Sequence, residues 1–420
     1  MKSKSVLRVM AAILLLVMTL TGCNESMKNE NQNRTEITFS WWGNDDRHAY
    51  TMDGIDIFCA NNPEIAVDYK YGQWSGYERK NNVWMESCTE ADVMQINYAW
   101  LTTYSSDGEG YYDLNELTDY IDLSGFDDTD LRFGTINGKL NGIPIAYNAS
   151  VICFNSAVFE EYNLDYPATW DDLFDVAKVL SKHDIYVLGA PTKHLLLLLI
   201  AYYEQTYNEA VFNEDGTLNI DKEGMGKMLD FYKRLLDEKV LMPVDKFDRS
   251  VLGTGECAGS AFWISDADNY CQYIENGGGA PRFVQYFMAD DATMTGMYMK
   301  PATMYAISSI TDNPVESAKL INFLINDQDM ILLQGTEKGV PANDNAVELL
   351  RVNDRLLSNG YSGYSIMEEN KELYNIMIPA MESEAIIDAF KQTADAYIYD
   401  VQDRDATVEQ IYEAVLELTK

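Results

Sequence analysis

One stretch of the sequence, residues 138–155, constrains the fold more than any other. It contains the turn dipeptide Asn141-Gly142, in which glycine can adopt a positive φ. The apolar run that follows predicts one strand and then another, and Pro144 predicts a sheet edge or a crossing because it cannot donate a ladder hydrogen bond. Tyr147 and Asn148 interrupt this run with polar groups. We interpret the stretch as the point where the chain leaves one lobe and enters a second, and the residues leave open a buried hairpin inside one domain.

Length and charge support two domains and exclude some partners. A chain of 420 residues is too long for one ordinary core. Its formal net charge is −36, and removal of the three cations within residues 1–22 would make it more acidic still. Nucleic-acid binders need basic patches, and anionic lipid surfaces attract basic segments. We therefore expect no nucleic-acid partner and no direct docking on lipid, whereas solubility alone also accounts for the acidity.

The N-terminus has the pattern of a secreted, lipid-anchored protein. A basic start is followed by an apolar stretch from Val9 to Leu20, which is shorter than the roughly 20 residues that span a bilayer. Leu20-Thr21-Gly22-Cys23 resembles a bacterial lipobox, which implies a signal peptide at 1–22 and lipid attachment at Cys23. An ordinary signal peptide or an uncleaved anchor is the alternative. Residues 23–36 are polar and predict a flexible tether.

A strand–helix–strand unit at the start of the mature chain predicts a parallel sheet. The strands are 37–41 and 65–69, and Asp45-Asp46 supply the helix N-caps. Ligands bind beyond the carboxyl ends of such strands. Two adjacent tryptophans cannot both face one core from a regular strand, so we expect at least one to be partly exposed; two core or rim tryptophans are the alternative. The candidates at this end are Trp41, Trp42, Asn44, Asp45 and Arg47.

Two later segments add candidates. Trp74 has no helical spacing with neighbouring apolar residues, so it is a ligand candidate rather than a core residue. A third strand begins at Ala91, and amides beyond it suit hydroxyl groups that both donate and accept. Asn97 also suits a capped turn. The candidates that follow this strand are Gln95, Asn97, Tyr98 and Trp100.

Five segments together resemble the extracellular solute-binding proteins that serve sugar ATP-binding-cassette importers. They cover nearly all of the mature chain, although Ala91 replaces the usual proline of the third-strand motif. The five segments are Trp41-Trp42-Gly43 with its acidic pair, Gly72–Tyr77, Ala91–Trp100, Gly138–Pro144 and Pro167–Leu173. A sixth segment, Gln334–Pro341, also resembles the family and would be its third crossing. The resemblance makes the exposed tryptophans platforms for pyranose rings and implies second-lobe contacts from Asn148, Trp263 and Asp266. The Asp266 carboxylate would accept hydrogen bonds from vicinal hydroxyls.

The resemblance implies an α/β, two-lobe periplasmic-binding-protein-like fold of type II with crossing hinge segments near 144–150, 299–303 and 341–346. The N-lobe would be 37–145 with 303–342, and the C-lobe 146–302 with 343–420. The implied function is capture of a carbohydrate, expected to be an oligosaccharide because several aromatic platforms suit several rings. The implied partners are two membrane permease subunits, with the protein a monomer on the outer face of the cell membrane.

The chain shows no pattern for catalysis, a cofactor or a metal. His48, His183 and His194 lie far apart, no CxxC occurs, and Gly253-Thr254-Gly255 precedes a strand rather than a helix. We therefore expect no cofactor, no metal and no enzyme activity. The alternatives are a secreted glycoside-active enzyme, which needs two carboxyl groups about 5 to 9.5 Å apart, and a polyamine- or cation-binding protein. Arg47 suits either an acidic sugar or an ion pair with Asp45, and the sequence does not settle a Cys257–Cys271 disulfide.

Overall fold

The computed structural model describes residues 34–356 and 358–420. The predicted signal peptide, Cys23 and most of the predicted tether lie outside the described residues. Thr35 and Glu36, the last two residues of the predicted tether, belong to the first strand. The Thr35 amide donates to the Glu64 carbonyl at 2.8 Å, so pairing extends beyond the apolar part of the strand.

Strands and helices alternate along the chain. The strands are β1 (Thr35–Trp42), β2 (Ile65–Gly72), β3 (Val93–Ile96), β4 (Thr135–Ile136), β5 (Lys139–Leu140), β6 (Ile143–Asn155), β7 (Gly259–Trp263), β8 (Pro281–Val284), β9 (Met297–Ile307) and β10 (Tyr374–Ile376). The helices of the N-terminal half are α1 (Asp45–Asn61), α2 (Tyr77–Glu86), α3 (Ala99–Tyr104), α4 (Asp128–Arg132), α5 (Ser156–Glu161), α6 (Trp170–Leu180) and α7 (Thr192–Tyr207).

The remaining helices are α8 (Lys222–Asp237), α9 (Val251–Thr254), α10 (Ala267–Asn276), α11 (Pro314–Asn326), α12 (Gln328–Gln334), α13 (Asp344–Val352), α14 (Asn359–Glu368), α15 (Glu384–Ile398) and α16 (Arg404–Leu418). Within residues 34–356 and 358–420, every helix is too short or too polar to cross a bilayer.

The main sheet is mixed, with the order β2-β1-β3-β9-β6-β7, while β10 pairs with β9 and β8 with β6. β1 runs parallel to β2 and β3, which confirms the predicted strand–helix–strand unit and the α/β class. The pairs β3–β9, β9–β6 and β6–β7 are antiparallel. The carboxyl ends of β1 and β3 therefore lie at the same edge, as a parallel arrangement requires.

The turn in the opening stretch lies four residues before its predicted place. β4 and β5 form a hairpin whose two loop residues, Asn137 and Gly138, have φ of 50° and 82°. Two positive φ values are typical of the type I′ turn, which favours Asn-Gly. Gly142 has no positive φ. The Asn141 side chain is instead buried and donates to the carbonyls of Gly108 and Tyr111.

β6 is one continuous strand of 13 residues rather than the two predicted strands. Residues 143–149 pair with β9, whereas residues 150–155 pair with β7 and β8. Tyr147 and Asn148 stay within the ladder with β9, so their polar groups do not interrupt the strand. The strand thus passes from one set of partners to another, which is what a crossing segment does and a hairpin inside one domain does not.

Two further segments adjoin the middle of β6. β9 pairs with β3 through residues 304–307 and with β10 through residues 297–299. Pro341 forms an antiparallel bridge with Ala146, and the Ala342 amide donates to the Ile145 carbonyl at 2.9 Å. The three predicted crossings therefore lie side by side. The lobe boundaries stay a prediction. Ala346 and Leu350 of α13, in the predicted C-lobe, pack with Ile331 of α12, in the predicted N-lobe.

Apolar side chains cover both faces of the sheet. On one face of the N-terminal strands Ile37, Phe39 and Val93 belong to the core that also contains Phe58 of α1. On the opposite face Trp42 and Met94 pack with Trp100. A further core joins Ile152 and Phe154 of β6 to the helices α6, α7, α8, α15 and α16. Because both faces of the sheet are covered by apolar side chains, a ligand site can form only at the ends of the strands or around the crossing segments.

Candidate ligand-binding site

The crossing strands bring a buried ion pair to the centre of the molecule. Asn148 of β6 and Lys300 of β9 lie directly opposite each other in the ladder. Lys300 is buried, and its Nζ contacts a Glu382 carboxylate oxygen at 2.5 Å. Lys193, at the start of α7, lies 3.6 Å from the other oxygen of Glu382. Burial lowers the pKa of Lys300, and the Glu382 charge partly opposes that shift.

Trp263, the last residue of β7, contacts Lys300 and the ring of His194. The Lys300 ammonium lies 5.1 Å from its ring centroid, within cation–π range. The His194 ring packs against it at 4.8 Å between centroids, at an angle of 69°. His194 in turn shares a 2.8 Å hydrogen bond between its Nδ1 and Ser150 Oγ. Burial, followed by the charges of Lys193 and Lys300, lowers the pKa of His194 to about 3, so the ring is neutral.

Tyr98 is the residue of the earlier part of the chain on which the Glu382 charge acts. It directly follows the end of β3 and is half-buried. Burial and then the negative charge of Glu382 raise its pKa to about 12. The Glu382 charge therefore acts on Tyr98 electrostatically. Tyr98 packs against Phe133, with ring centroids 6.1 Å apart.

A second polar cluster lies under the first turns of α1. Gln95 of β3 is opposite Tyr305 of β9, so their side chains share one face of the sheet. Tyr305 accepts a 2.8 Å hydrogen bond from the ammonium of Lys338. Tyr50 of α1 belongs to the same buried core as Tyr305. After burial, the charge of Arg47 lowers the pKa of Lys338 and Tyr50 raises that of Tyr305. We call these five residues, Arg47, Tyr50, Gln95, Tyr305 and Lys338, the cationic cluster.

An exposed tryptophan lies on an aromatic stack on the other face of the sheet. Trp74 is 46 % exposed and packs on Trp42 and Trp100, with ring centroids 5.1 and 6.2 Å away. Trp100 is itself buried and donates from Nε1 to Glu78 at 3.2 Å. An open groove of about 350 Å³ adjoins the ring and is lined by Trp74, Ser75, Gly76, Glu78, Arg79 and Asn82. Trp74 thus offers a rigid, accessible face of the kind that sugar rings pack on.

The expectation that one of the adjacent tryptophans is exposed is wrong. Trp41 is fully buried and Trp42 nearly so, because each faces a different covered side of the sheet. Trp41 donates from Nε1 to His48 Nδ1 at 3.1 Å and stacks on Tyr71. The four tryptophans 41, 74, 100 and 263 accordingly do not converge on one cleft. The structure assigns Trp41, Trp42 and Trp100 to packing.

Three other predicted ligand residues have their polar atoms engaged. Asn44, not Asp45 or Asp46, caps α1 by accepting from the Arg47 amide at 2.9 Å, while Asp45 is exposed in the first turn. Asn97 accepts from the Ala99 amide, which is the capped turn that the sequence left open. Asn148 exchanges two hydrogen bonds with Ser265 and so ties β6 to the segment after β7.

Asp266, a predicted second-lobe contact, has both carboxylate oxygens engaged within the protein. Its carboxylate accepts from Arg249 at 2.8 Å and from Asn269 at 2.7 Å. A carboxylate with a cation and an amide already on it has little capacity left for vicinal hydroxyls. The possibility of a Cys257–Cys271 disulfide is also resolved, since both thiols are free. Arg47 forms no ion pair with Asp45 in the described part of the chain.

Sequence reasoning missed the charged residues on which the site is built. Lys193, Lys300, Lys338 and Glu382 were not candidates, although Lys300 lies in the predicted crossing beside Pro301 and Lys338 lies three residues before the crossing that begins at Pro341. A cation next to a predicted crossing proline was the available signal. Glu382 had none, because nothing in the sequence brings residue 382 near residue 300. Among residues 34–356 and 358–420 no three His, Cys, Asp or Glu side chains cluster to hold a metal ion.

The comparison that decides the family is the match of residues 45–331 to the model for bacterial extracellular solute-binding proteins. The chain belongs to this family. Its curated relatives include the arabinooligosaccharide-binding protein of Bacillus subtilis, which is 22% identical over 241 residues, 55% of this chain and 54% of that protein. This solute-binding protein spans about half the length of the curated relatives it matches.

Solved structures match the solute-binding protein over almost its whole length. The periplasmic oligogalacturonide binding protein from Yersinia enterocolitica, in complex with saturated digalacturonic acid, is 28% identical, with a TM-score of 0.78 over 91% of this chain and 98% of that one. A de novo designed cysteine esterase, ECH19, is also 28% identical, with a TM-score of 0.86 over 93% and 99%. These neighbours confirm the predicted two-lobe α/β fold.

Proposed function

We propose that this solute-binding protein captures an oligosaccharide between its two lobes and delivers it to an ATP-binding-cassette importer. One observation carries the proposal: Trp263, Lys300 and Glu382 pack together beside the strands that cross between the predicted lobes, and the Glu382 charge also acts on Tyr98 at the end of β3. An aromatic ring with charged and hydroxyl groups around it suits the mixed apolar and polar faces of a sugar.

Two further facts support a sugar rather than another ligand. The relatives include proteins named for arabinooligosaccharide, lactose and oligogalacturonide binding. The cations Lys193, Lys300, Lys338 and Arg47 around the crossing strands argue against a polyamine or metal cation, because like charges repel a cationic ligand. Trp74 is a second exposed aromatic face, in a separate groove lined by residues 74–82.

The cellular arrangement forms part of the same proposal. Its support is the lipobox-like segment that ends at Cys23 and the polar residues that follow it. The lipid on Cys23 would hold the protein, as a monomer, on the outer face of the cell membrane, where it would dock on two permease subunits. The C23A variant should then appear in the culture medium, and retention of C23A on the membrane would refute the anchor.

Calorimetry with a panel of oligosaccharides tests the binding function. We expect binding to the unmodified protein and at least about a tenfold loss of affinity in W263A and W74A. The scale is that of a nucleic-acid base stacked on an aromatic side chain, which contributes about 1–3 kcal/mol. The matched control is Y120A, which removes an aromatic side chain of similar exposure, 42 %, in a different surface groove.

The outcomes separate binding from catalysis. Absence of heat with every oligosaccharide, at protein concentrations well above micromolar, would refute the proposal. Appearance of new reducing ends during incubation with the ligand would replace it with the glycoside-active alternative. Stabilisation by putrescine in thermal unfolding, without stabilisation by any sugar, would favour a polyamine-binding protein.

A further inference from the structure

The cationic cluster contains two positive charges without a carboxylate partner. Neither Arg47 nor Lys338 forms an ion pair within 4 Å in the described part of the chain, although the sequence contains 67 acidic and 31 basic residues. Lys338 is only 4 % exposed, and its ammonium meets just the Tyr305 hydroxyl and ring. Buried charges are normally paired, because leaving one unpaired is strongly unfavourable.

The same cluster holds unused hydrogen-bonding atoms. Both amide atoms of Gln95, which is 1 % exposed, lack a partner, as do the Tyr50 hydroxyl and the buried Nε of Arg47. Buried polar side-chain atoms rarely remain unpaired, and four in one place need an explanation. A ligand that accepts from Arg47, Tyr50 and Lys338 and bonds the Gln95 amide would satisfy them together.

We propose that the cationic cluster is a carboxylate subsite, and that the captured oligosaccharide contains a sugar acid of the uronic type. The inference rests on the proposed function and names its substrate class. A carboxylate between Arg47 and Lys338 neutralises both charges, and its charge-assisted hydrogen bonds are stronger than those of a neutral hydroxyl. Gln95 and the Tyr50 hydroxyl then bond the ring hydroxyls beside the carboxylate. The positive end of the α1 dipole, where Arg47 lies, also favours an anion.

The decisive experiment compares sugars that differ only at C6. Uronic-acid trisaccharides, such as trigalacturonic acid, and their neutral counterparts, such as galactotriose, are titrated into the full mature protein by calorimetry. We expect the acidic sugar to bind at least about tenfold more tightly. K338M and R47M should each weaken the acidic sugar by tenfold or more while hardly changing the neutral one, and K338R should retain most of the affinity.

The control is K178M, since Lys178 is an exposed lysine paired with Asp175 on α6, an element that contributes no residue to the cationic cluster. Tighter binding of the neutral sugar, or K338M affinities equal to those of the unmodified protein, would overturn the subsite and leave oligosaccharide capture intact. If no sugar binds, acidic or neutral, the proposed function fails and the subsite with it.

Thermal unfolding separates a ligand site from a structural role. Without ligand, K338M should melt at a higher temperature than the unmodified protein, because it replaces a buried amino group that has no ion-pair partner by an apolar chain of similar size. The acidic sugar should raise the melting temperature of the unmodified protein and do so less in K338M. A lower melting temperature in ligand-free K338M would show that Lys338 stabilises the fold, contrary to the proposal.

Proton uptake supplies an independent readout. Burial and the charge of Arg47 lower the pKa of Lys338 to about 7. The other titratable groups that face it are Tyr305 of β9 and Tyr50 of α1, and the exposed Glu337 precedes it in the chain. A bound carboxylate raises this pKa, so binding at pH 7.5 should take up protons, and affinity should fall between pH 7 and 9. Equal binding heats in buffers of different ionisation enthalpy would contradict this.

Discussion

At the residue scale, burial rather than residue type decides what each side chain can do. Trp41 and Trp74 are both aromatic residues near strand ends, yet one is fully buried and the other is 46 % exposed. Asp266 and Glu382 are both carboxylates near the second group of strands, yet the first is engaged by Arg249 and the second lies between two lysines. Side-chain chemistry alone therefore does not identify a ligand contact.

His194 predicts a measurable pH dependence of stability. Its pKa is about 3 in the folded protein and 6.5 when unperturbed, so between these values the unfolded chain binds a proton that the folded chain does not. Stability should fall as pH decreases from 6.5, by about 1.4 kcal/mol per unit from this group. Urea unfolding from pH 7 to 4.5 should show a shallower loss in H194Q, and identical slopes in both proteins would contradict the assignment.

At the element scale, local sequence signals set helix starts well when the cap is unambiguous. Thr169 and Asp172 form the predicted capping box at the start of α6, each accepting from the other's backbone amide. Thr407 and Gln410 have the sequence spacing of a capping box, which predicts a helix from 408, but α16 begins four residues earlier with Asp403 as its cap. Thr407 is inside the helix and donates back to the Asp403 carbonyl at 2.9 Å. Several residues near a helix start can cap it, and packing selects one.

The start of α16 can be tested directly. D403A should lower the free energy of unfolding by about 1 kcal/mol, because it removes the acceptor for the Ala406 amide and a negative charge at the positive end of the helix. Q410A is the matched control and should change stability little, since Gln410 is exposed and only weakly bonded to Gln402. Chemical denaturation measures both, and a larger effect of Q410A would restore the original box.

At the scale of the whole molecule, three chain crossings lie side by side around the middle of β6. Strands β6 and β9 and the segment at Pro341 connect the two sheet regions. Lys300 lies on β9 and Trp263 on β7, which pairs with β6, so a change in lobe orientation moves these groups. Hinge closure around a ligand is the motion that such connections permit.

Ligand-dependent closure is the prediction at this scale. Addition of the bound oligosaccharide at a hundredfold excess over its Kd should stabilise the protein by about 2.7 kcal/mol and reduce its radius of gyration in solution scattering. W263A at the same sugar concentration is the comparison, since weakened binding should leave both values closer to the ligand-free state. Stabilisation without any decrease in the radius would indicate a rigid cleft.

The sequence by itself determined the class of the protein, because strand and helix periodicity, the crossing prolines and the family-like segments are all local in the chain. It predicted Gln95, Tyr98, Arg47, Trp74 and Trp263, which remain candidates. Only the tertiary structure decided the rest. Cover on both sheet faces buries Trp41 and Trp42, and residues far apart in sequence form the Lys300–Glu382 pair and the cationic cluster. The physical reason is that burial and charge pairing depend on which distant segments meet, and local sequence does not record that.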